Sequence, residues 1–443
     1  MKLQIRWLVT LSSGLLLGLL LGVLPNSLSN LLLNSGAKTA QQATAQPLNR
    51  PVLPAPRSLS QSPLDAMVST SSIDPRLTAA HTRFGFKLFS QLQQNPTQNI
   101  SISPTSVAVA LSMLYNGATG NTQAAMAAAL ELNDLSLDEL NQANAALEAA
   151  LETADPKVSL TIANSLWGRT GFDFKPDFLQ RNQTYYNAKI TNLDFDSPDA
   201  PTQINDWVNQ NTAGKIPQII DRIEPAQVLF LLNAIYFKGE WSQSFNAEET
   251  RERPFQLPDG STQQQPTMEQ QGNYVYTETE QFQAVSLPYG NRRFSMYIFL
   301  PRPDSSLAAF QQTLTVENWD TWISQFRRRQ GRIQLPKFKI EYETSLNQAL
   351  QALGMEAAFT AGEAEFANLS DQELVISEVK HKTFLEVNET GTEAAATTSV
   401  GIAVTSIDLN PPFQMLVDRP FFYAIRDNQT GSLLFMGSVV TPE

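Results

Sequence analysis

The sequence predicts an α+β protein with large antiparallel or mixed sheets. Helical periodicities crowd the first third of the folded part, and strand-like runs dominate beyond Val228. No internal repeat breaks that order, so one large domain from Asp74 to Glu443 is the simplest organisation.

The elements follow in order. A helix starts near Asp74, with Leu77, Phe84, Phe86, Leu88, Phe89 and Leu92 as its apolar face. His81 is read as part of its surface. Asn99 to Pro104 reads as a short strand running into a helix start. Ser103 supplies a capping hydroxyl and Pro104 fits the first turn. A buried helix follows over Val107 to Tyr115. Ala124 to Leu132 and Leu137 to Thr153 are helical by composition and period, and Val158 to Trp167 alternates like a strand. Ile204 to Gly214 is a helix closing on a C-terminal glycine. The later strand candidates are Val228 to Phe237, Phe294 to Leu300, Gly331 to Ile340, Phe384 to Val387, Phe421 to Ile425 and Leu433 to Val440. One further helix is expected near Thr344 to Leu353.

Composition narrows the function. A hydrophobic content of 42% supports a sizeable core, and a formal net charge of -12 argues against nucleic acid as a partner. Arg327, Arg328, Arg329 and Arg332 are the main basic exception, read as a solvated loop. Zero cysteines exclude disulfides, a thiolate nucleophile and Cys-ligated zinc. No metal and no cofactor are expected.

Lys2 and Arg6 precede an apolar run from Leu8 to Leu24, the pattern of a signal peptide. Ala43-Thr44-Ala45 offers a cleavage site, unusually far downstream. The run is almost long enough to span a bilayer, so residues 1–45 are a signal peptide or an uncleaved membrane anchor. A lipoprotein is excluded by the missing cysteine. The Pro, Ser, Gln and Ala-rich stretch up to about residue 73 reads as a disordered linker.

Catalysis finds no support. The chain has two histidines, His81 and His381, and neither sits in a recognisable motif. No nucleophile elbow, zinc-protease helix, P-loop or dinucleotide fingerprint is present. Carboxylates are abundant, but no spacing singles out a dyad.

The informative stretch is Glu389-Thr-Gly-Thr-Glu-Ala-Ala-Ala-Thr-Thr-Ser-Val400, small and Ala/Thr-rich. Alone it would pass for a linker. Its flanks are Ile376 to Val387 and Asp418-Arg-Pro-Phe-Phe-Tyr through Pro442. Upstream lie Asn99 to Leu114 with Gly117-Ala118, Ile204 to Ile216, Leu232-Asn-Ala-Ile-Tyr-Phe-Lys-Gly-Glu-Trp241 and Pro254-Phe255. Leu287-Pro-Tyr, Leu335 to Tyr342, Leu353-Gly-Met and Ala367-Asn-Leu-Ser370 complete the series. This ordered set resembles the serpins, over nearly all of Asp74 to Glu443.

The resemblance implies three sheets, about eight or nine helices and an exposed reactive loop. It implies an inhibitory, exported, prokaryotic-style member that traps a serine protease covalently. The loop would insert as an extra strand, serpin insertion being a standard example of strand addition. The hinge would be Glu389, Gly391, Thr392, Glu393, Ala394, Ala395, Ala396, Thr397 and Thr398. Strand alternation puts Thr392, Ala394, Ala396 and Thr398 on a face small enough to bury. Ser103, Ser106, Asn233 and His381 resemble the polar cluster beneath the sheet centre. Trp241, Lys337 and Glu389 resemble the cluster where insertion begins, with a Lys337–Glu389 ion pair expected.

Counting roughly sixteen residues on from Glu389 puts the reactive bond at Thr405–Ser406. A backward count favours Asp408 to Asn410. The loop from Gly391 to Asp418 holds no Lys or Arg, which disfavours trypsin-like targets. Ile402, Ala403 and Val404 suit the small apolar pockets of elastase-like or subtilisin-like enzymes. A non-inhibitory carrier or chaperone is the alternative. Heparin-like activation is disfavoured because Asn133 to Asp155 is acidic. A monomer outside the cytoplasm, secreted or periplasmic, is expected, or else a tethered one.

Overall fold

A computed structural model describes residues 73–93, 95, 97–392 and 411–443. The elements run α1 (Pro75–Leu92), β1 (Ile100–Ile102), α2 (Pro104–Tyr115), α3 (Gly120–Ala129), α4 (Leu137–Glu152), β2 (Val158–Arg169), α5 (Pro176–Tyr186), β3 (Lys189–Leu193), α6 (Ala200–Asn211) and β4 (Leu229–Glu240). Strands then dominate: β5 (Arg251–Gln256), β6 (Thr262–Glu278), β7 (Phe282–Pro288) and β8 (Phe294–Pro301). After α7 (Leu307–Gln312) and α8 (Val316–Gln325) come β9 (Arg327–Pro336) and β10 (Phe338–Ser345). Two short pieces, α9 (Asn347–Leu350) and α10 (Glu356–Phe359), flank Gly354, whose φ of 99° breaks the helix. The chain closes with β11 (Glu378–Asn388), β12 (Gly391–Thr392), β13 (Phe413–Leu416), β14 (Phe421–Asp427) and β15 (Leu433–Val439).

Hydrogen bonding joins these strands into a nine-stranded and a six-stranded sheet. Two of the three layers implied by the resemblance fuse because β6 pairs with β5, β7 and β9 along its length. The six-stranded sheet has the order β10-β11-β12-β4-β2-β3. β4 reads as one apolar run because both its faces are covered. Leu231, Ile235 and Phe237 face the main core. Phe230, Leu232, Ala234 and Tyr236 face a second core completed by Ile204 and Val208 of α6.

Local chemistry sets several boundaries. Asp74 caps α1 and Ser103 caps α2, each followed by proline in the first turn. Ser136 and Glu139 form a reciprocal capping box on α4. Gly214, at φ 77°, returns its amide to Asn209 O beyond α6.

Several expectations need correcting. His81 is not on a surface: it is 2% exposed within α1. The strand expected over Phe384 to Val387 is longer, β11 from Glu378 to Asn388, and takes in His381. The arginine-rich segment is strand β9 instead of a loop. There Arg329 pairs with Glu278 at 2.7 Å, and Arg332 pairs with Glu269. The run expected as one strand from Gly331 to Ile340 is split at Lys337 between the two sheets. Among the described residues no helix is long and apolar enough to cross a membrane. The Leu8 to Leu24 run lies outside them.

Candidate functional site

The six-stranded sheet brings the sequence-selected residues together in two places along the β4–β11 seam. These two strands run parallel, registered from Phe230 opposite Glu378 to Tyr236 opposite Phe384.

The first cluster lies at the middle of the seam, where Asn233 and His381 are register partners. His381 Nδ1 meets Asn233 Oδ1 at 2.6 Å, and its Nε2 accepts from the Ser103 backbone N–H at 3.1 Å. A backbone N–H can only donate, so the ring is neutral with its proton on Nδ1. Burial drives its pKa down to about 3, against a smaller upward pull from the Asn233 hydrogen bond. Asn233 Nδ2 donates to Ser106 Oγ at 2.5 Å and also to Asn164 Oδ1 of β2. Ser103 Oγ accepts from the Ser106 amide. The cluster therefore stitches β2, β4 and β11 to the start of α2. Sequence reasoning missed Asn164, which is the register partner of Asn233. It also missed Thr383, which donates to Ser101 O at 3.0 Å, and Tyr423, which donates to Ser101 Oγ at 2.7 Å.

The second cluster lies at the C-terminal end of β4. Trp241 donates from its ring to Asn388 O and from its backbone to Thr390 O, both at 2.9 Å. Its indole stacks on Tyr289 at 4.4 Å and 13°. Lys337 Nζ lies 3.1 Å from Glu389 Oε2, and Thr250 donates to Glu389 Oε1 at 2.8 Å. The Glu389 side chain is 13% exposed, so this pair is more buried than a surface bridge. Burial alone would raise its carboxyl. Hydrogen bonds from its own backbone and Thr250, with the Lys337 charge, outweigh that and hold it below its ordinary value.

Beyond Glu389 the chain turns back into the sheet. Gly391 and Thr392 form β12, antiparallel to both neighbours: Thr392 pairs with Val387 of β11 and with Gly239 of β4. Thr392 is fully buried and bonds the Tyr289 hydroxyl at 2.7 Å. Gly391, at φ 153°, has the Gly239 carbonyl 2.0 Å from where a Cβ would stand. Tyr289 closes the Leu287-Pro-Tyr motif quoted from the sequence, but nothing in that motif signals its bond to Thr392. Glu393, Ala394, Ala395, Ala396, Thr397, Thr398, Ile402, Ala403, Val404, Thr405 and Ser406 lie outside the described residues. Among those described, no group of three or more acidic or histidine side chains could hold a metal.

A family model for serpins, the serine protease inhibitors, matches residues 79–442. Leukocyte elastase inhibitors from Sus scrofa and Homo sapiens are each 35% identical over 381 residues, covering 83% of this chain and 100% of theirs. The crystal structure of a thermophilic serpin, tengpin, in the native state superposes with TM-score 0.78 at 36% identity, over 84% of this chain and 96% of that one. Human thyroxine-binding globulin complexed with its ligand gives TM-score 0.77 at 26% identity, over 83% and 98%. With the ordered motifs and the two clusters on the β4–β11 seam, these matches make the chain a member of the serpin family.

Proposed function

We propose that this serpin is an exported suicide inhibitor of elastase-like or subtilisin-like serine proteases, with Thr405–Ser406 as its reactive bond. The observation that carries the reading is β12. The first two loop residues already lie between β4 and β11, antiparallel to both, while the rest of the seam is a single parallel pair. A longer inserted segment would replace that pair with two antiparallel ones. Each added ladder bond contributes about 1 kcal/mol, and antiparallel pairing is slightly the more stable per residue.

The protease serine would attack the Thr405 carbonyl carbon. The bond to Ser406 breaks, leaving an ester on Thr405 and a new amine on Ser406. The loop then enters the seam and carries the tethered protease with it. Asn233, His381, Ser103 and Ser106 would govern the parting of the strands. Trp241, Lys337 and Glu389 would hold the hinge at the start. The basic, apolar N-terminus supports export, and the small residues Ile402 to Val404 support the target class.

Mixing the protein with a protease panel tests the reading. SDS-resistant complexes with elastase-like or subtilisin-like enzymes are expected. Mass spectrometry should find a released peptide beginning at Ser406. Thr405→Arg should shift inhibition toward trypsin-like enzymes. Cleavage without any stable complex would favour the carrier reading. N-terminal sequencing of mature protein should start beyond about Ala45.

A further inference from the structure

The end of α4 carries polar groups that loop insertion does not use. α4 is held by a buried amide network as well as by apolar contacts. Asn116, which caps the C-terminus of α2, and Asn141 of α4 bond each other twice, at 3.0 and 2.9 Å. Tyr186 of α5 donates to Asn141 Oδ1 at 2.6 Å and accepts from Asn144 Nδ2 at 3.3 Å. Asn144 Oδ1 is left over. It is buried and has no donor among the described residues. Such an orphan is destabilising, because it has lost water and gained no donor. One turn on, at i+4 and on the same face, stands the half-buried Glu148.

We propose that Glu148, in its protonated form, is the missing donor to Asn144 Oδ1, and that this bond is a proton-operated latch on the last two turns of α4.

The surroundings favour the proton. Burial, then the charge of Glu152, push the Glu148 carboxyl up to about 7. The helix C-terminus is itself electronegative, and the last turn holds no basic residue. On α5, the Tyr186 hydroxyl feels the Glu148 charge, and the ionic side chains Asp177 and Arg181 do not shift Glu148. α2 contains no ionic residue, and the one in β2, Arg169, pairs with Asp196 at the far end of its strand. On α1, Arg76 is bound to Asp74 and Glu139, Arg83 and Lys87 to Glu131, and His81 is buried and neutral. Among the described residues the charge acting on the carboxyl is that of Glu152, and no cation offsets it. Because the folded value lies above the ordinary 4.5, the stabilisation is full below 4.5 and is lost as pH rises through about 7. The latch adjoins the seam: α4 leads through Asp155 to Val158, which pairs with Gly239, itself the partner of Thr392.

Hydrogen exchange on the full-length protein tests this, comparing residues 147–153 at about pH 5.5 and about pH 8.5 after correction for intrinsic rates. Protection should fall by about tenfold or more at the higher pH in wild type. Glu148→Gln, a permanent donor, should keep its protection at both. Should that variant fail to fold, the carboxyl-carbon NMR titration of wild-type Glu148 replaces it, with a midpoint near 7 expected. Equal wild-type protection at the two pH values, a drop retained in Glu148→Gln, or a midpoint near 4.5 would overturn the proposal.

Discussion

His81 sits in the middle of α1 with both ring nitrogens buried and without a partner among the described residues. Burial lowers its pKa to about 4, from an ordinary 6.5. His381 is lowered further, though its nitrogens are satisfied. For a depressed histidine, the unfolded chain binds the proton first. Stability is therefore present above 6.5 and lost as pH falls toward the folded value. Each histidine should cost about 2 kcal/mol by about pH 5. His81→Leu removes an orphaned polar group at similar volume. It should raise the melting temperature by a few degrees at fixed scan rate and flatten its fall below about pH 6.5. A variant with the wild-type acid slope would show that His81 does not contribute. The resemblance placed His381 beneath the sheet, but nothing in the sequence revealed the burial of His81. A helix with Leu77, Phe84 and Phe89 on one face predicts a broad surface opposite, but the open stripe of α1 is narrow, running through Arg76, Arg83, Lys87 and Ser90, and His81 lies outside it. Asn164 was equally silent, since nothing local marks it as the partner of an asparagine in β4.

Among elements, β12 has the clearest test. Thr392 is already fully buried against Tyr289 before any cleavage. Thr392→Arg would bring a guanidinium into that site, at a cost of several kcal/mol if unpaired. Insertion should slow and deacylation should win more often. The expected result is cleavage at the same bond with a stoichiometry of inhibition several-fold higher, read by titrating protease activity. A stoichiometry equal to wild type would mean that insertion does not depend on the small side chain at Thr392. Legibility at this scale followed burial. β4, β8, β14 and β15 were plain because they are apolar along their length. β6 was missed: Thr262-Gln-Gln-Gln-Pro alternates poorly, and its first three residues are exposed. The first residues of β9, Arg327 to Gln330, passed for a solvated loop because the partners of Arg329 and Arg332, Glu278 and Glu269, lie far upstream in the chain.

At the scale of the whole molecule, the parallel β4–β11 seam implies a fold held short of its most stable arrangement by kinetics. Limited cleavage within residues 393–410 should raise the melting temperature by tens of degrees, measured by calorimetry on cleaved and intact protein. An unchanged value would rule out insertion. Acid response is also a whole-chain property. Between about 4.5 and 6.5 the two histidines favour the folded state as pH rises, while Glu148 disfavours it. Two groups against one leave a net gain in stability with rising pH.

The pairing of β1 with β15 has a consequence for biosynthesis. Ile100 lies opposite Ser438, and Asn99 exchanges hydrogen bonds with Val440 and Thr441. The first strand to leave the ribosome thus waits for the last one. Until β15 has been made, Ile100 and Ile102 lack their ladder, and the large sheet cannot close. A nascent chain in that condition stays open until its last strand is made. Removing residues 433–443 should leave a product that is synthesised but protease-sensitive throughout, with no trimmed core surviving limited proteolysis. A resistant fragment beginning near Pro75 would show that the earlier elements fold without waiting.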